Sequence, residues 1–356
     1  MKKILVIDDS ALMRKQLRII LESADYEVDI ARNGEEGLEK IKSGQPDAVT
    51  LDINMPVMDG LTCLSHIMTD MPLPVVMVSS LTEKGALSTF EALEMGAIDY
   101  VAKPGGTVSL NITDIEKELL TKLKVALRSR IGKARNLRER LIKQREQVVR
   151  AVPKKVTARK RSSKAITDGI VIIGVSTGGP GTLEQVLSRL PTDFPLPILV
   201  AQHMPAKFTE VFAKRLDKSC AITVKELNRT MNLEPGTVLV ARGDADIKLI
   251  QRKEMVMATS IPPRAEFVWH PSVTLLADSV GEYYEEDSII CVQLTGMGND
   301  GAEAMAKLHE KGAKTIAESE QSAVVFGMPQ ELIKLGGADV VLDAEDIAQQ
   351  LLDWVT

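Results

Sequence analysis

The sequence predicts two α/β domains, each built on a doubly wound parallel sheet and joined by a basic connector. Three observations predict it. Short apolar runs alternate with segments of three-to-four-residue periodicity through both halves of the chain. Acidic, hydroxyl and basic residues gather where those apolar runs end. The charge is unevenly spread: residues 117–164 carry eighteen Lys or Arg against Glu118, Glu139 and Glu146, a net +15, which leaves −20 for the rest of a chain whose total is −5. With 356 residues, 44% of them hydrophobic, the chain can fill two cores.

In the first half, Ile4–Ile7, Val28–Ala31, Ala48–Leu51, Val75–Val78 and Tyr100–Ala102 read as strands. Leu12–Leu21 and Glu35–Ile41 have helical spacing. Strands alternating with helices in this way make a parallel sheet with helices on both faces. Asp8 and Asp9 end the first strand, Asp52 the third and Ser79 the fourth, while Lys103 follows the fifth with Pro104 beside it. Three carboxylates converging on one sheet edge repel one another unless a cation intervenes, and hard oxygen ligands suit Mg²⁺. A carboxylate beside such an ion, a lysine and a hydroxyl can accept a phosphoryl group, because both cations neutralise the transferring oxygens.

The connector begins with Ile115, Leu119, Leu123, Leu127, Ile131, Ala134, Leu137 and Leu141 at helical spacing. It is expected to be one amphipathic helix running past the first domain and stopping by Val152-Pro153. Lys154–Thr167 has almost no large apolar residue and reads as a flexible linker. Its basic residues suit either contact with an acidic partner, nucleic acid or anionic lipid, or a solvated tether.

The second half opens with the apolar run Ile170–Ile173, then Gly174-Val175-Ser176-Thr177-Gly178-Gly179, then a helical stretch, Thr182–Leu190. A serine on a glycine-flanked strand-to-helix turn stands clear of its backbone, near free N–H groups that can face developing negative charge. Such turns also bind phosphate or serve structure alone. Two further strand ends decide between these readings. Leu196–Gln202 delivers His203, and Ile289–Thr295 delivers Asp300 within Thr295-Gly296-Met297-Gly298-Asn299-Asp300-Gly301. Sites in open parallel sheets lie at carboxyl strand ends, so these three residues form a candidate Ser-His-Asp triad. Backbone amides near Thr177 and Met297 are the candidate oxyanion donors. His270 is the rival base, with a hydrogen-bonded histidine packed beside Trp269 as its alternative reading.

Other classes find little support. No apolar run approaches the length of a membrane span, and Asp8-Asp9 interrupts the apolar amino-terminal stretch that could mimic an export signal. Cys63, Cys220 and Cys291 lack paired spacing and read as free buried thiols of a reducing compartment, so the cytoplasm is the expected location. The four histidines show no zinc spacing. The Gly174–Gly181 turn lacks the Gly-Lys-Ser/Thr of a nucleotide-binding P-loop.

These motifs carry a resemblance. Residues 1–128, through Asp8-Asp9, Asp52 in Thr50-Leu51-Asp52-Ile53-Asn54-Met55-Pro56, Met58-Asp59-Gly60, Ser79 and Lys103-Pro104, resemble a flavodoxin-like two-component receiver domain. Residues 168–356 resemble the Rossmann-like α/β catalytic domain of the chemotaxis protein-glutamate methylesterases. The matching segments are Gly174–Pro180, Gln202-His203-Met204-Pro205, Leu294–Ala302 and Val324-Val325-Phe326-Gly327-Met328-Pro329, whereas Ala241–Asp244 and Trp269–Ser272 match loosely. Residues 129–167 are the linker, longer and more basic than the family leads one to expect. The resemblance implies that a chemotaxis histidine kinase phosphorylates Asp52, with Asp8, Asp9, Asp52 and the Asn54 carbonyl around Mg²⁺. It further implies that Ser79, Tyr100 and Lys103 form the receiver switch, and that the bond before Pro104 is cis. It implies that Ser176, His203 and Asp300 hydrolyse glutamate methyl esters, and deamidate glutamines, on chemoreceptors without a cofactor for the esterase step. Finally, it implies that the receiver covers the catalytic strand ends until phosphorylated. The alternative is a non-catalytic response regulator whose connector binds nucleic acid or an acidic protein; against nucleic acid stand the acidic second half and the lack of a helix-turn-helix pattern.

Overall fold

The computed structural model describes residues 1–80, 82–103, 112–128 and 169–355, and the chain divides into two compact units. The connector from 129 to 167 and the Lys103-Pro104 bond lie outside the described residues. So do the expected cis peptide there and the helix continuing to Leu141.

The first unit is a five-stranded parallel sheet of β1 (Lys3–Ile7), β2 (Glu27–Ala31), β3 (Ala48–Asp52), β4 (Val75–Ser79) and β5 (Asp99–Ala102), in the order β2-β1-β3-β4-β5. β3 and β4 are buried along their whole length, which is why they read as continuous apolar runs. The helices are α1 (Ala11–Ser23), α2 (Gly34–Gly44), α3 (Gly60–Asp70), α4 (Glu83–Glu94) and α5 (Ile112–Ala126). Ser10, Asn33, Asp59 and Thr82 cap the first four by accepting a backbone N–H of the first turn. Leu119 and Leu123 of α5 are fully buried and share a core with Leu17, Leu21, Val6, Val76 and Val78. The start of the connector's apolar stripe is therefore the core face of the last helix of this domain. Strand order reverses between β1 and β3, and the carboxyl ends of those two strands carry Asp8, Asp9 and Asp52.

The second unit centres on a seven-stranded parallel sheet. Its strands are β6 (Ile170–Val175), β7 (Ile198–Gln202), β8 (Thr223–Leu227), β10 (Thr237–Ala241), β13 (Ile289–Gln293), β14 (Lys314–Glu318) and β15 (Val340–Leu342), in the order β15-β14-β13-β6-β7-β10-β8. Helices α6 (Gly179–Leu187), α7 (Ala206–Ser219), α8 (Val273–Gly281), α9 (Ala302–Glu310), α10 (Met328–Lys334) and α11 (Ala344–Val355) pack around it. α6 begins three residues before the segment that sequence spacing marks, because Gly178 at φ +80° turns the chain directly into it. One element is absent from the sequence reading: a three-stranded antiparallel sheet of β9 (Met231–Asn232), β11 (Asp246–Arg252) and β12 (Met255–Ile261). It packs on α8, where the Ser279 hydroxyl accepts the Leu249 N–H at 2.8 Å. No described helix is long and apolar enough to cross a membrane.

Candidate functional sites

At the edge of the first sheet, the carboxylates of Asp8, Asp9 and Asp52 can bring oxygens within 4.8 Å of one another. Lys103 crosses the cluster, its Nζ 2.9 Å from Asp8 Oδ2 and 2.8 Å from Asp52 Oδ2. The other Asp52 oxygen accepts the Ile53 N–H at 2.7 Å and the Asn54 N–H at 3.4 Å. Burial raises the Asp52 carboxyl despite the Lys103 contact. Burial lowers Lys103, but Asp8 and Asp52 outweigh it and hold the ammonium charged. Asp8 Oδ2 is buried and, despite the nearby ammonium, receives no hydrogen bond of adequate geometry. A hard divalent cation fits a buried, under-satisfied carboxylate oxygen of this kind. Ser79 ends β4 as expected, but its hydroxyl donates to Gly85 O at 3.2 Å and accepts from Thr89 Oγ1 at 2.7 Å rather than meeting Asp52. Tyr100 is buried on β5, with Lys122 Nζ 4.7 Å from its ring centroid and bonded to its carbonyl.

In the second sheet, β6, β7 and β13 are neighbours, and their carboxyl ends bring Ser176, His203 and Asp300 together. Val175 pairs with Gln202, so Ser176 and His203 follow directly from one register pair, and the His203 N–H donates to Val175 O at 3.1 Å. The serine turn is fastened from several sides. Its N–H donates to Thr295 O at 2.9 Å, and its carbonyl accepts from Gly179 N and Gln202 Nε2, each at 2.9 Å. A Cβ on Gly179 would stand 2.1 Å from Gln202 Oε1, and one on Gly296 would stand 2.8 Å from Ser176 Cβ. Only glycine allows both approaches. Among the described residues the N–H groups of Thr177 and Met297 have no hydrogen-bond acceptor, which leaves both amides able to donate to an oxyanion.

His203 Nε2 lies 2.9 Å from Asp300 Oδ2. Its Nδ1 is buried and has no hydrogen-bond partner among the described residues. The Asp300 carboxylate sits at the N-terminus of α8. There it accepts from Val273 N at 2.7 Å, Thr274 N at 3.0 Å, Thr274 Oγ1 at 2.7 Å and Ser272 Oγ at 3.2 Å. Burial alone would raise its carboxyl; the His203 contact and these donors outweigh burial and hold it below the usual carboxylate range. Trp269 stacks on the imidazole of His203, the ring centroids 5.2 Å apart and the planes 9° from parallel. His270 is hydrogen-bonded, as its alternative reading expects, with Nδ1 3.0 Å from Asp246 Oδ1. The indole beside it serves His203.

Behind Ser176 lies Glu318, at the end of β14 and fully buried. It accepts from Thr295 N at 2.7 Å and Ser322 Oγ at 2.9 Å. Burial pushes its carboxyl up from 4.5 to about 7, against the pull of those two donors. The folded state therefore binds this proton more tightly than the unfolded state does, and stability falls as pH rises between those two values. The change is on the order of 3 kcal/mol at most. Thermal melting across that window is expected to show the decline in the wild type and a flatter profile in Glu318→Gln. A decline equally steep in both proteins would assign the effect to other groups.

Sequence reasoning thus reached the strand-end residues and missed their supports. Gln202 is the last residue of β7, and Trp269, Thr295 and the Ser272–Thr274 donors lie on loops or a helix start, where no periodicity marks them. Asp246 on the unforeseen sheet was also missed. Cys63, Cys220 and Cys291 are free and buried, as expected, and burial pushes the thiols of Cys63 and Cys220 up to about 12 and about 11.

Comparison with known proteins finds relatives of both units. The family model described as CheB methylesterase matches residues 171–351, and that of the response regulator receiver domain matches residues 4–112. A protein-glutamate methylesterase/protein-glutamine glutaminase of Rhodospirillum rubrum is 50% identical, with 100% of this chain and 97% of that protein covered. One from Caldanaerobacter subterraneus is 46% identical, with 99% and 96% covered. Among solved structures, the catalytic domain of a CheB methylesterase from Thermotoga maritima is 40% identical, with a TM-score of 0.51, and covers 52% of this chain and 98% of its own. Matched along its whole length and carrying both domains, the chain belongs to the CheB methylesterase family, with a response regulator receiver domain at its amino-terminal end.

Proposed function

We propose that this protein hydrolyses the γ-methyl esters of chemoreceptor glutamates, and deamidates receptor glutamines, under control of phosphorylation at Asp52. The observation that carries this reading is the state of the His203 ring. Nε2 is held by Asp300, so Nδ1, buried and without a partner, is the nitrogen left to take the Ser176 proton. Ser176 Oγ attacks the ester carbonyl, its proton passes to His203 Nδ1, and negative charge builds on the carbonyl oxygen before the amides of Thr177 and Met297. His203 then returns the proton to the departing methoxide, releasing methanol; water repeats the sequence and frees the glutamate. Asp300 keeps the Nε2 proton in place and stabilises the imidazolium without taking the proton itself. The same steps release ammonia from glutamine.

In the receiver, the carboxylates of Asp8, Asp9 and Asp52 with the Asn54 carbonyl would hold Mg²⁺, which when bound neutralises charge on an arriving phosphoryl group. A chemotaxis histidine kinase is the donor in this reading. The free buried thiols suit the cytoplasm, where such a kinase works. Methanol release from methylated receptor tests the activity; a full chain that releases none, with or without phosphodonor, returns the protein to the non-catalytic reading. In the same assay Asp52→Asn is expected to stay at its basal rate when a small-molecule phosphodonor and Mg²⁺ are added, while the wild type accelerates. A gain of only ~1.4 kcal/mol in the active state already gives about tenfold. Stimulation of the Asn variant equal to that of the wild type would place the acceptor elsewhere.

A further inference from the structure

We propose that Trp269 is a positioning residue for the general base: its indole face holds the His203 imidazole at the tilt that aims Nδ1 at Ser176. The inference rests on the triad reading above and adds a group that the reading does not contain. The contact with Asp300 pins His203 at one in-plane point, Nε2. A ring held at one nitrogen can still roll about the line from its Cβ to that nitrogen, and the roll carries Nδ1 off its target. Blocking it takes a flat surface against the ring. Trp269 supplies that surface, parallel within 9° at 5.2 Å, a stacked arrangement favourable for neutral rings and more so when one of them carries the proton.

The segment around Trp269 is built to keep the surface still. Asp246, buried at the start of β11, accepts from His270 Nδ1 at 3.0 Å, Ser272 N at 2.9 Å and Arg264 N at 2.9 Å. These bonds clamp the loop on both sides of the indole. Three residues after Trp269, the run Ser272, Val273 and Thr274 binds the Asp300 carboxylate. One run of six residues, 269–274, thus contacts the base through its first member and the base's carboxylate partner through its last three. A shift of this run displaces both together and preserves their geometry, a property that separate supports would lack.

Trp269→Leu in the full chain is expected to lower kcat for methylated receptor by roughly 10- to 100-fold, the scale of a small misplacement of a catalytic group, with KM little changed. Trp269→Phe, which restores a flat ring, should recover most of that loss. A second measurement leaves Trp269 in place. The chain has two tryptophans, so in a Trp354→Phe background the emission reports Trp269 alone. A ring stacked on an indole perturbs its emission through the contact, so His203→Gln should change the emission and His270→Asn should leave it unchanged. Wild-type kcat in the Leu variant, a Phe variant as poor as Leu with the same melting temperature, an effect confined to KM, or emission indifferent to His203 would each overturn the proposal. Should His203→Ala retain full activity while the emission still follows His203, the triad reading fails and the stacking stands.

Discussion

Ser176→Ala is expected to reduce methanol release from methylated receptor by on the order of 10⁴- to 10⁶-fold, and His203→Ala by a similar factor, while Ser176→Ala keeps its melting temperature. The losses match because the two side chains act in one step. Without the hydroxyl the imidazole has no proton to take, and without the imidazole the hydroxyl remains a poor nucleophile. The fold should tolerate the serine change, because the turn is held through backbone groups: Ser176 N to Thr295 O, and Gly179 N and Gln202 Nε2 to Ser176 O. Among the described residues the Ser176 hydroxyl makes no hydrogen bond whose loss would cost stability. Turnover of even a tenth of wild type in Ser176→Ala would reject the nucleophile assignment. A variant that neither folds nor works would instead mean that the hydroxyl supports the turn.

Residues with this role were readable in the sequence because parallel strands announce themselves. β6, β7 and β13 are buried along their whole length, so each is an apolar run, and a polar residue at its carboxyl end stands out. The receiver cluster was readable on the same grounds. The direction of the Ser79 hydroxyl was not, because Gly85 O and Thr89 compete for it with any group at Asp52. β11 was missed because only part of its side chains are buried: Asp-Ile-Lys-Leu-Ile-Gln-Arg exposes its end and resembles a polar loop. With that strand went Asp246, and with Asp246 the reason for Trp269 to lie over His203. Glu318 was hidden by its type. A glutamate ending Lys314–Glu318 looks solvated, and only the buried N–H of Thr295 and the hydroxyl of Ser322 explain it.

Asp300→Asn is expected to cost about 10³- to 10⁴-fold in kcat, less than loss of the nucleophile but through a more specific fault. Both carboxylate oxygens face donors only. Oδ2 accepts from His203 Nε2 and Val273 N, and Oδ1 from Thr274 N, Thr274 Oγ1 and Ser272 Oγ. An amide has one acceptor oxygen and one NH₂ group, so either orientation sets N–H against N–H. With NH₂ toward Oδ1's partners, the hydroxyls of Ser272 and Thr274 can turn to accept, but the Thr274 N–H is stranded. With NH₂ toward His203, the ring must surrender its Nε2 proton and carry it on Nδ1, the nitrogen needed as base. The first arrangement destabilises by about 1–3 kcal/mol, the cost of an unsatisfied buried donor. The second strands the Val273 N–H, whose acceptor is Oδ2, at a similar cost, and in addition disables catalysis. Nitrogen NMR of the His203 ring distinguishes them: a proton on Nδ1 in the variant and on Nε2 in the wild type is the expected result. An Asn variant within tenfold of wild-type turnover, with the tautomer unchanged, would remove Asp300 from the mechanism and leave it a capping residue for α8.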